Sequence, residues 1–184
     1  MEKKRLSEMT LEELWELFPI FLTEHNPCWV EWYSEEIELL KNILPLDIEY
    51  HHVGSTAVEG IFAKPIIDIL IVVNSVEQMK EVADMLRERG YIVMSANADR
   101  ISLNKGYTEN GFAEKVFHLH IRLENDKDEI YFRDYLNAHP EIAQAYVKLK
   151  LRLWKKYEHD RDGYTAAKTE FVKKYTELAK KTLL

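Results

Sequence analysis

The stretch His52-Val53-Gly54-Ser55-Thr56 stands 12 residues ahead of a lone carboxylate, Asp68, with Lys64-Pro65 between them. A glycine that follows a strand lets the backbone come close to a ligand. The N–H groups opening the next helical turn have no partner of their own. A phosphate satisfies those groups, and a helix N-terminus favours its charge. Ser55 and Thr56 add hydroxyl donors, and Lys64 adds a positive charge. Together with His52 and Gly54 they form a candidate phosphate- or nucleotide-binding cradle. The plainer alternative is that Ser55 or Thr56 only caps a helix.

Asp68 precedes the apolar run Ile69 to Val73. An ionisable group in so apolar a strand is costly unless it is paired, metal-bound or at the strand mouth. Asp68 is therefore the candidate catalytic acid and metal ligand, against the alternative of an ion pair with Lys64 or an arginine. His118 and His120 share one face of a second strand, and His120 is the candidate partner of Asp68 in holding a metal or phosphate. His51 and His52 alternate across their strand, so at most one of them points toward the cradle. Arg122, Arg133, Lys150 and Lys168 are either further anion contacts or separate surface groups.

The elements that must position these residues are legible in the periodicity. Thr10 is placed to cap a helix over 11–18, with Glu13 completing a capping box. Trp29, Tyr33, Ile37, Leu40 and Leu44 recur at helical spacing up to Pro45. A strand over 48–53 runs into the Gly54-Ser55 turn. A short helix over 56–62 is expected before Lys64-Pro65, since the residue preceding a proline avoids the helical region. The stretch 66–73 reads as a central strand buried on both faces. Ser75 and Gln78 open a helix that Gly90 ends. Strands follow over 91–94 and 100–105, and a loop contains Gly106 and Asn110-Gly111. In 114–123, Phe117, Leu119, Ile121 and Leu123 face one way while His118, His120 and Arg122 face the other. Helices are expected over 129–138, from Pro140 to about Tyr157, and over 166–183 after a break at Gly163.

The chain has 184 residues, enough for one compact domain over 1–184 with a sizeable core. With 46% hydrophobic and 31% charged residues it has a globular composition. No apolar run approaches the roughly 18 residues that span a bilayer, so no membrane role is expected. The charged stretch 1–13 lacks an apolar signal core and reads as a mature start. One cysteine, Cys28, excludes an intramolecular disulfide and a cysteine-built zinc site, and a cytoplasmic location follows most simply. A formal charge of −7 argues against non-specific nucleic-acid binding. The basic cluster Lys148, Lys150, Arg152, Lys155 and Lys156 reads as a solvated helix face. Helices, a small mixed sheet, then helices again define an α/β (α+β) domain.

The run HHVGSTAVEGIFAKPIIDILIVV resembles the signature of the GrpB (UPF0157) family. The resemblance extends to Pro27-Cys28-Trp29, to HLHIRL at 118–123, to FRDYLNAHPEIAQAY at 132–146, and to Leu149-Lys150 and the segment 164–168. It covers nearly the whole chain. It implies a fold of the DNA polymerase beta-like nucleotidyltransferase superfamily. There a Gly-Ser turn holds nucleotide phosphates, and a downstream Asp-x-Asp/Glu pair with a third acid binds two divalent metals. Gly54-Ser55 matches the turn and Asp68 the first acid. The second acid's position is Leu70, and the third falls in the strand that offers His118 and His120. A lone aspartate with histidines suits one softer ion, Mn²⁺ or Zn²⁺, better than Mg²⁺.

The sequence thus supports two main readings. One is transfer of a nucleotidyl or phosphoryl group to a small acceptor, with a nucleotide and a divalent metal as cofactors. The other is a non-catalytic module that binds a nucleotide or a phosphorylated metabolite. A structural protein with a vestigial site is the third. The expected partner is a small phosphorylated ligand, and the sequence names no protein partner.

Overall fold

The computed structural model describes residues 4–182. A five-stranded mixed sheet lies at its centre, built from β1 (Glu49–Val53), β2 (Ile67–Val73), β3 (Ile92–Ala96), β4 (Arg100–Thr108) and β5 (Gly111–Leu123) in the order β1-β2-β5-β4-β3. β2 and β5 run parallel in adjacent positions, and every other pairing is antiparallel. The chain between those two central strands forms a helix and the β3–β4 edge, as a parallel crossover requires.

Alternation decides what each face of the sheet does. Ile67, Ile69, Ile71 and Val73 of β2, with Leu119 and Ile121 of β5, pack on one face against two helices, α2 (Cys28–Ile43) and α3 (Val76–Glu88). Each such side chain contributes roughly 1.5–3 kcal/mol when fully buried, which fixes the strand register. The other face is polar where the chemistry was expected. The parallel register sets Asp68 beside His118 and Leu70 beside His120. Leu70 and Val72 are sealed by Val53 and by Ile130 of α4 (Asp128–Ala138). The strip nearer the start of β2 is left facing α5 (Pro140–Tyr157) and α6 (Arg161–Thr182).

The expected caps form. Thr10 Oγ1 accepts the Glu13 N–H at 3.2 Å, and the Thr10 N–H donates to the Glu13 carboxylate at 2.8 Å, starting α1 (Leu11–Leu17). Ser75 Oγ accepts the Gln78 N–H at 3.1 Å, but the Gln78 side chain turns to the Asn74 N–H at 2.8 Å.

Four elements differ from the expectations, one of them the loop read around Gly106: Gly106 lies within β4 and Gly111 opens β5, so only residues 109–110 separate the two strands. The helix read over 56–62 shortens to a single 3₁₀ turn, Ser55–Ala57. Gly60 then reverses the chain, and Ala63 pairs with Thr23 as an isolated β-bridge that holds the segment extended. Gly163 does not break the last helix. Asp160 Oδ1 accepts its N–H at 2.8 Å, so α6 starts at Arg161 and Gly163 lies in its first turn. Leu183, the expected end of that helix, lies outside the described residues. Finally, the basic cluster on α5 is not wholly solvated: Lys148, Arg152, Lys155 and Lys156 are exposed, but Lys150 is only 2% exposed.

Among the described residues, no helix is long and apolar enough to cross a membrane.

Candidate functional site

A cavity of about 700 Å³ opens between the polar strip of the sheet and helices α4 to α6. Gly54, Ser55, Thr56, Lys64, Asp68, His118 and His120 all line it. Of the residues singled out in the sequence, these seven line one space with Lys150 and Lys168, while His51, His52, Arg122 and Arg133 do not line it.

Asp68 organises the strand wall. Its Oδ1 faces His120 Nε2 at 3.0 Å and lies 3.5 Å from His118 Nδ1. Its Oδ2 lies against the backbone of Gly54, where any Cβ would overlap the carboxylate. Gly54 also has φ of 72°, a conformation that side-chain-bearing residues rarely adopt, so two separate constraints demand glycine here. Burial alone would raise the Asp68 pKa. Hydrogen bonds from His118 and His120 outweigh it and hold the carboxyl well below the usual range, so Asp68 is ionised.

The tautomer of His118 follows from its other neighbours. Its Nε2 is 2.8 Å from the Tyr107 hydroxyl and 3.3 Å from the Arg161 guanidinium. A guanidinium only donates, so Nε2 accepts and the proton sits on Nδ1, directed at Asp68. Burial pushes the His118 pKa down to about 4 against the pull of Asp68, and Arg161 adds to the effect of burial. His118 is thus a neutral brace for the carboxylate.

His52 lies outside the cavity lining. Its ring stacks on Tyr33 of α2 with centroids 4.8 Å apart, and its Nε2 donates to Thr56 Oγ1 at 3.0 Å. Thr56, itself buried, donates its hydroxyl to the Ile66 carbonyl at 3.2 Å. These two residues hold the turn from behind, while Ser55 faces the cavity.

The helix wall is cationic. Lys150 donates to Ser55 Oγ at 3.0 Å and to the Phe62 carbonyl, clamping both ends of the 55–62 segment from α5. Its Nζ sits 4.7 Å from the ring centroid of Tyr146, one helical turn earlier. Lys64 and Lys168 both face the ring of buried Tyr164, at 5.3 and 5.0 Å from its centroid. Burial pushes the Lys64 pKa down to about 7, and the positive charges of Lys168 and Arg161 add to that shift. Burial, with Lys168 again, brings Lys150 to about 7.

The ionised Asp68 offsets part of this charge at Lys64, and the other acids around the cavity are paired elsewhere. Asp128 pairs with Lys180 at 2.7 Å, Glu177 with Lys180 at 3.5 Å, and Glu129 with Arg122 at 3.2 Å. Among the described residues, Lys64, Lys150, Arg161, Lys168 and Lys173 line the cavity without a carboxylate at ion-pair distance. Two expected anion contacts are used elsewhere. Arg122 donates to the Ile101 and Ile121 carbonyls, and Arg133 donates to the His52 carbonyl.

The donor set does not match a two-metal centre. Position 70 is a fully buried leucine, and the strand that should supply a third acid carries histidines. A single ion on Asp68 and His120 would have to displace the hydrogen bond between them. His118 cannot turn a lone pair to it while Arg161 donates to Nε2. Among the described residues, no three or more His, Cys, Asp or Glu side chains are grouped to hold a metal ion.

Arg161 and Lys173 were not singled out in the sequence. Their signal was the α6 spacing 161, 165, 169, 173, a helical stripe that lines one cavity.

This sheet, with a glycine turn and an acid at the mouth of a central strand, is a nucleotidyltransferase-type fold. The MgATP-bound mutant of the Cid1 poly (U) polymerase superposes on 80% of the chain with a TM-score of 0.51. The identity is 15% and the chain spans 47% of that protein, so the likeness is one of fold. Residues 19–178 match the model of the GrpB protein family, and the chain belongs to that family. It is 31% identical over 187 residues to the UPF0157 protein YqkA of Bacillus subtilis (strain 168), covering 98% of this chain but only 54% of YqkA. It is 35% identical over 159 residues to the glutamate-rich protein GrpB of Alkalihalophilus pseudofirmus, covering 83% of this chain and 91% of that one. The crystal structure of the conserved protein GrpB from Enterococcus faecalis superposes with a TM-score of 0.76 at 32% identity, over 89% of this chain and 99% of the other.

Proposed function

We propose that the cleft binds a nucleotide or phosphorylated metabolite, with its phosphates against the helix wall. The observation that carries this reading is the set of five cationic side chains with no carboxylate partner among the described residues. Lys150 is buried and Lys64, Arg161 and Lys168 are partly buried; a cation held from water without a counterion is costly, and an anionic ligand lowers that cost. Gly54 lets the backbone approach, Ser55 offers its hydroxyl, and Lys64, Lys150, Arg161 and Lys168 neutralise charge. Thr56 and His52 hold the turn in place. The MgATP bound by the structural neighbour Cid1 supports a nucleotide over other anions.

Group transfer is a second reading, favoured by the Asp68–His120 pair. Asp68 accepts a hydrogen bond from His120 Nε2–H, and in the neutral ring this tautomer carries its lone pair on Nδ1, where it can act as a base. An acceptor hydroxyl would give its proton to that nitrogen as its oxygen bonds to phosphorus. The phosphoanhydride bond breaks, and the leaving phosphate or diphosphate takes the bonding electrons.

Thermal unfolding in the presence of nucleotides and sugar phosphates separates the readings. A ligand at 100 times its Kd is expected to stabilise the protein by about 2.7 kcal/mol. Absence of any shift, in a folded sample, would sink both. Transfer further requires a product, lost in Asp68→Asn while the ligand-induced shift remains. A product that survives Asp68→Asn contradicts the transfer reading.

A further inference from the structure

We propose that the cleft takes a polyphosphate ligand free of divalent metal, its lysine and arginine side chains doing the neutralising that metal ions do in a two-metal site. The inference rests on the phosphate-binding reading above and specifies the form in which the ligand binds.

The first argument is the inventory of ligands. Mg²⁺ is held by hard oxygen donors, chiefly carboxylates and waters, at short distances and in octahedral geometry. Among the described residues, this cleft presents one carboxylate that is not paired with a lysine or arginine, Asp68, and its Oδ1 is already held by histidines. Oδ1 faces His120 and His118, and Oδ2 is against the Gly54 backbone. The next residue on the same strand face is Leu70, 0% exposed. A second ion finds no further unpaired carboxylate of the protein among the described residues.

The second argument is the field. The cations of the helix wall lower one another's proton affinity: Lys168 and Arg161 act on Lys64, and Lys168 acts on Lys150. A divalent cation entering this space adds to that repulsion, whereas a bare polyphosphate relieves it. Magnesium also removes two negative charges from a nucleoside triphosphate, so the complex is less attractive to this wall than the free anion.

The third argument is placement. Lys64 comes from the loop before β2, Lys150 from α5, and Arg161 and Lys168 from α6. Charges from three separate segments line one cavity of about 700 Å³, room for more than one phosphate.

Isothermal titration calorimetry of the full chain at pH 7 tests this, using ATP and inorganic tripolyphosphate as probes. Each is titrated in EDTA and in excess MgCl₂ at matched ionic strength. Both probes are expected to bind in EDTA, and saturating Mg²⁺ is expected to weaken binding about tenfold. Lys168→Met, on the more open helix, is expected to lower the affinity in EDTA about tenfold, and Lys64→Met to lower it further. Binding that requires Mg²⁺ or is tighter with it would overturn the metal-free inference and leave the phosphate-binding reading standing. No heat from either probe under either condition, with a protein that still unfolds cooperatively, would overturn both.

Discussion

The two faces of the sheet both draw lysines out of full solvent, but in opposite company. On the α2 side, Lys105 Nζ meets Glu36 at 2.7 and 2.8 Å, and the Tyr91 hydroxyl donates to the same carboxylate. Glu36 is 2% exposed and Tyr91 is buried. On the cleft side, Lys150 is equally buried and Lys64 half-buried, yet neither has a carboxylate partner among the described residues. A buried cation that serves the fold comes with its counterion. One left with hydroxyl, carbonyl and ring contacts is arranged for a charge that arrives from outside. The contrast also separates His118 and His120, which are committed to Asp68, from the helix wall, which is committed to no acid.

The largest effect is expected where the pair is complete. Glu36→Ala leaves the buried Tyr91 hydroxyl without its acceptor and the partly exposed Lys105 without its partner, and urea unfolding should show a loss of about 2–3 kcal/mol with ligand affinity unchanged. A loss below about 1 kcal/mol would break the comparison. Gly54→Ala comes next. Its Cβ would meet the Asp68 carboxylate from a left-handed backbone, so a loss of about 1–3 kcal/mol is expected, together with ligand-induced stabilisation. Lys150→Met should differ from both. It removes an unpaired buried charge but leaves the Phe62 carbonyl without its donor, so stability should stay within about 1 kcal/mol of the parent while binding weakens.

Smaller but sharper is the pH dependence of the ligand-free protein. Lys64 and Lys150 fall from 10.5 to about 7 on folding. Between those values the unfolded chain holds more protons, so stability should rise as pH increases from about 7 toward 10.5. Lys150→Met should flatten that rise, and a slope unchanged in the variant would show that Lys150 is not the group responsible. At the acid end, His52 and His118 drop from 6.5 to about 4, so stability should be lost as pH falls through that window.

The strand wall was legible in the sequence and the helix wall was legible only in part. Alternation in 114–123 placed His118 and His120 on one face, and a lone acid before five apolar residues marked Asp68. Both are local patterns, and β pairing then needed only the parallel register to bring them together. The helix wall is assembled from segments up to about a hundred residues downstream of the turn, and no local pattern states which face of α5 meets Ser55. Lys150 sat among exposed lysines and arginine of the same cluster, and only packing distinguishes it. The 56–62 segment misled for a related reason. Its local composition permits a helix, but pairing of Ala63 with Thr23, far upstream, holds it extended. His52 reads in the sequence as part of the cradle, yet its side chain faces Tyr33, since alternation alone does not reveal which face of β1 the cleft occupies.

The most direct measurement is calorimetric titration of tripolyphosphate into Lys64→Met/Lys150→Met, alongside urea unfolding of the same protein. The account predicts a folded variant with stability within about 1 kcal/mol of the parent and an affinity reduced about 100-fold or more, since a hydrogen bond to a charged group is worth roughly 1.5–3 kcal/mol. A folded variant that binds as tightly as the parent, or one that loses its fold as Glu36→Ala is expected to weaken it, would contradict the claim that these cations await a ligand.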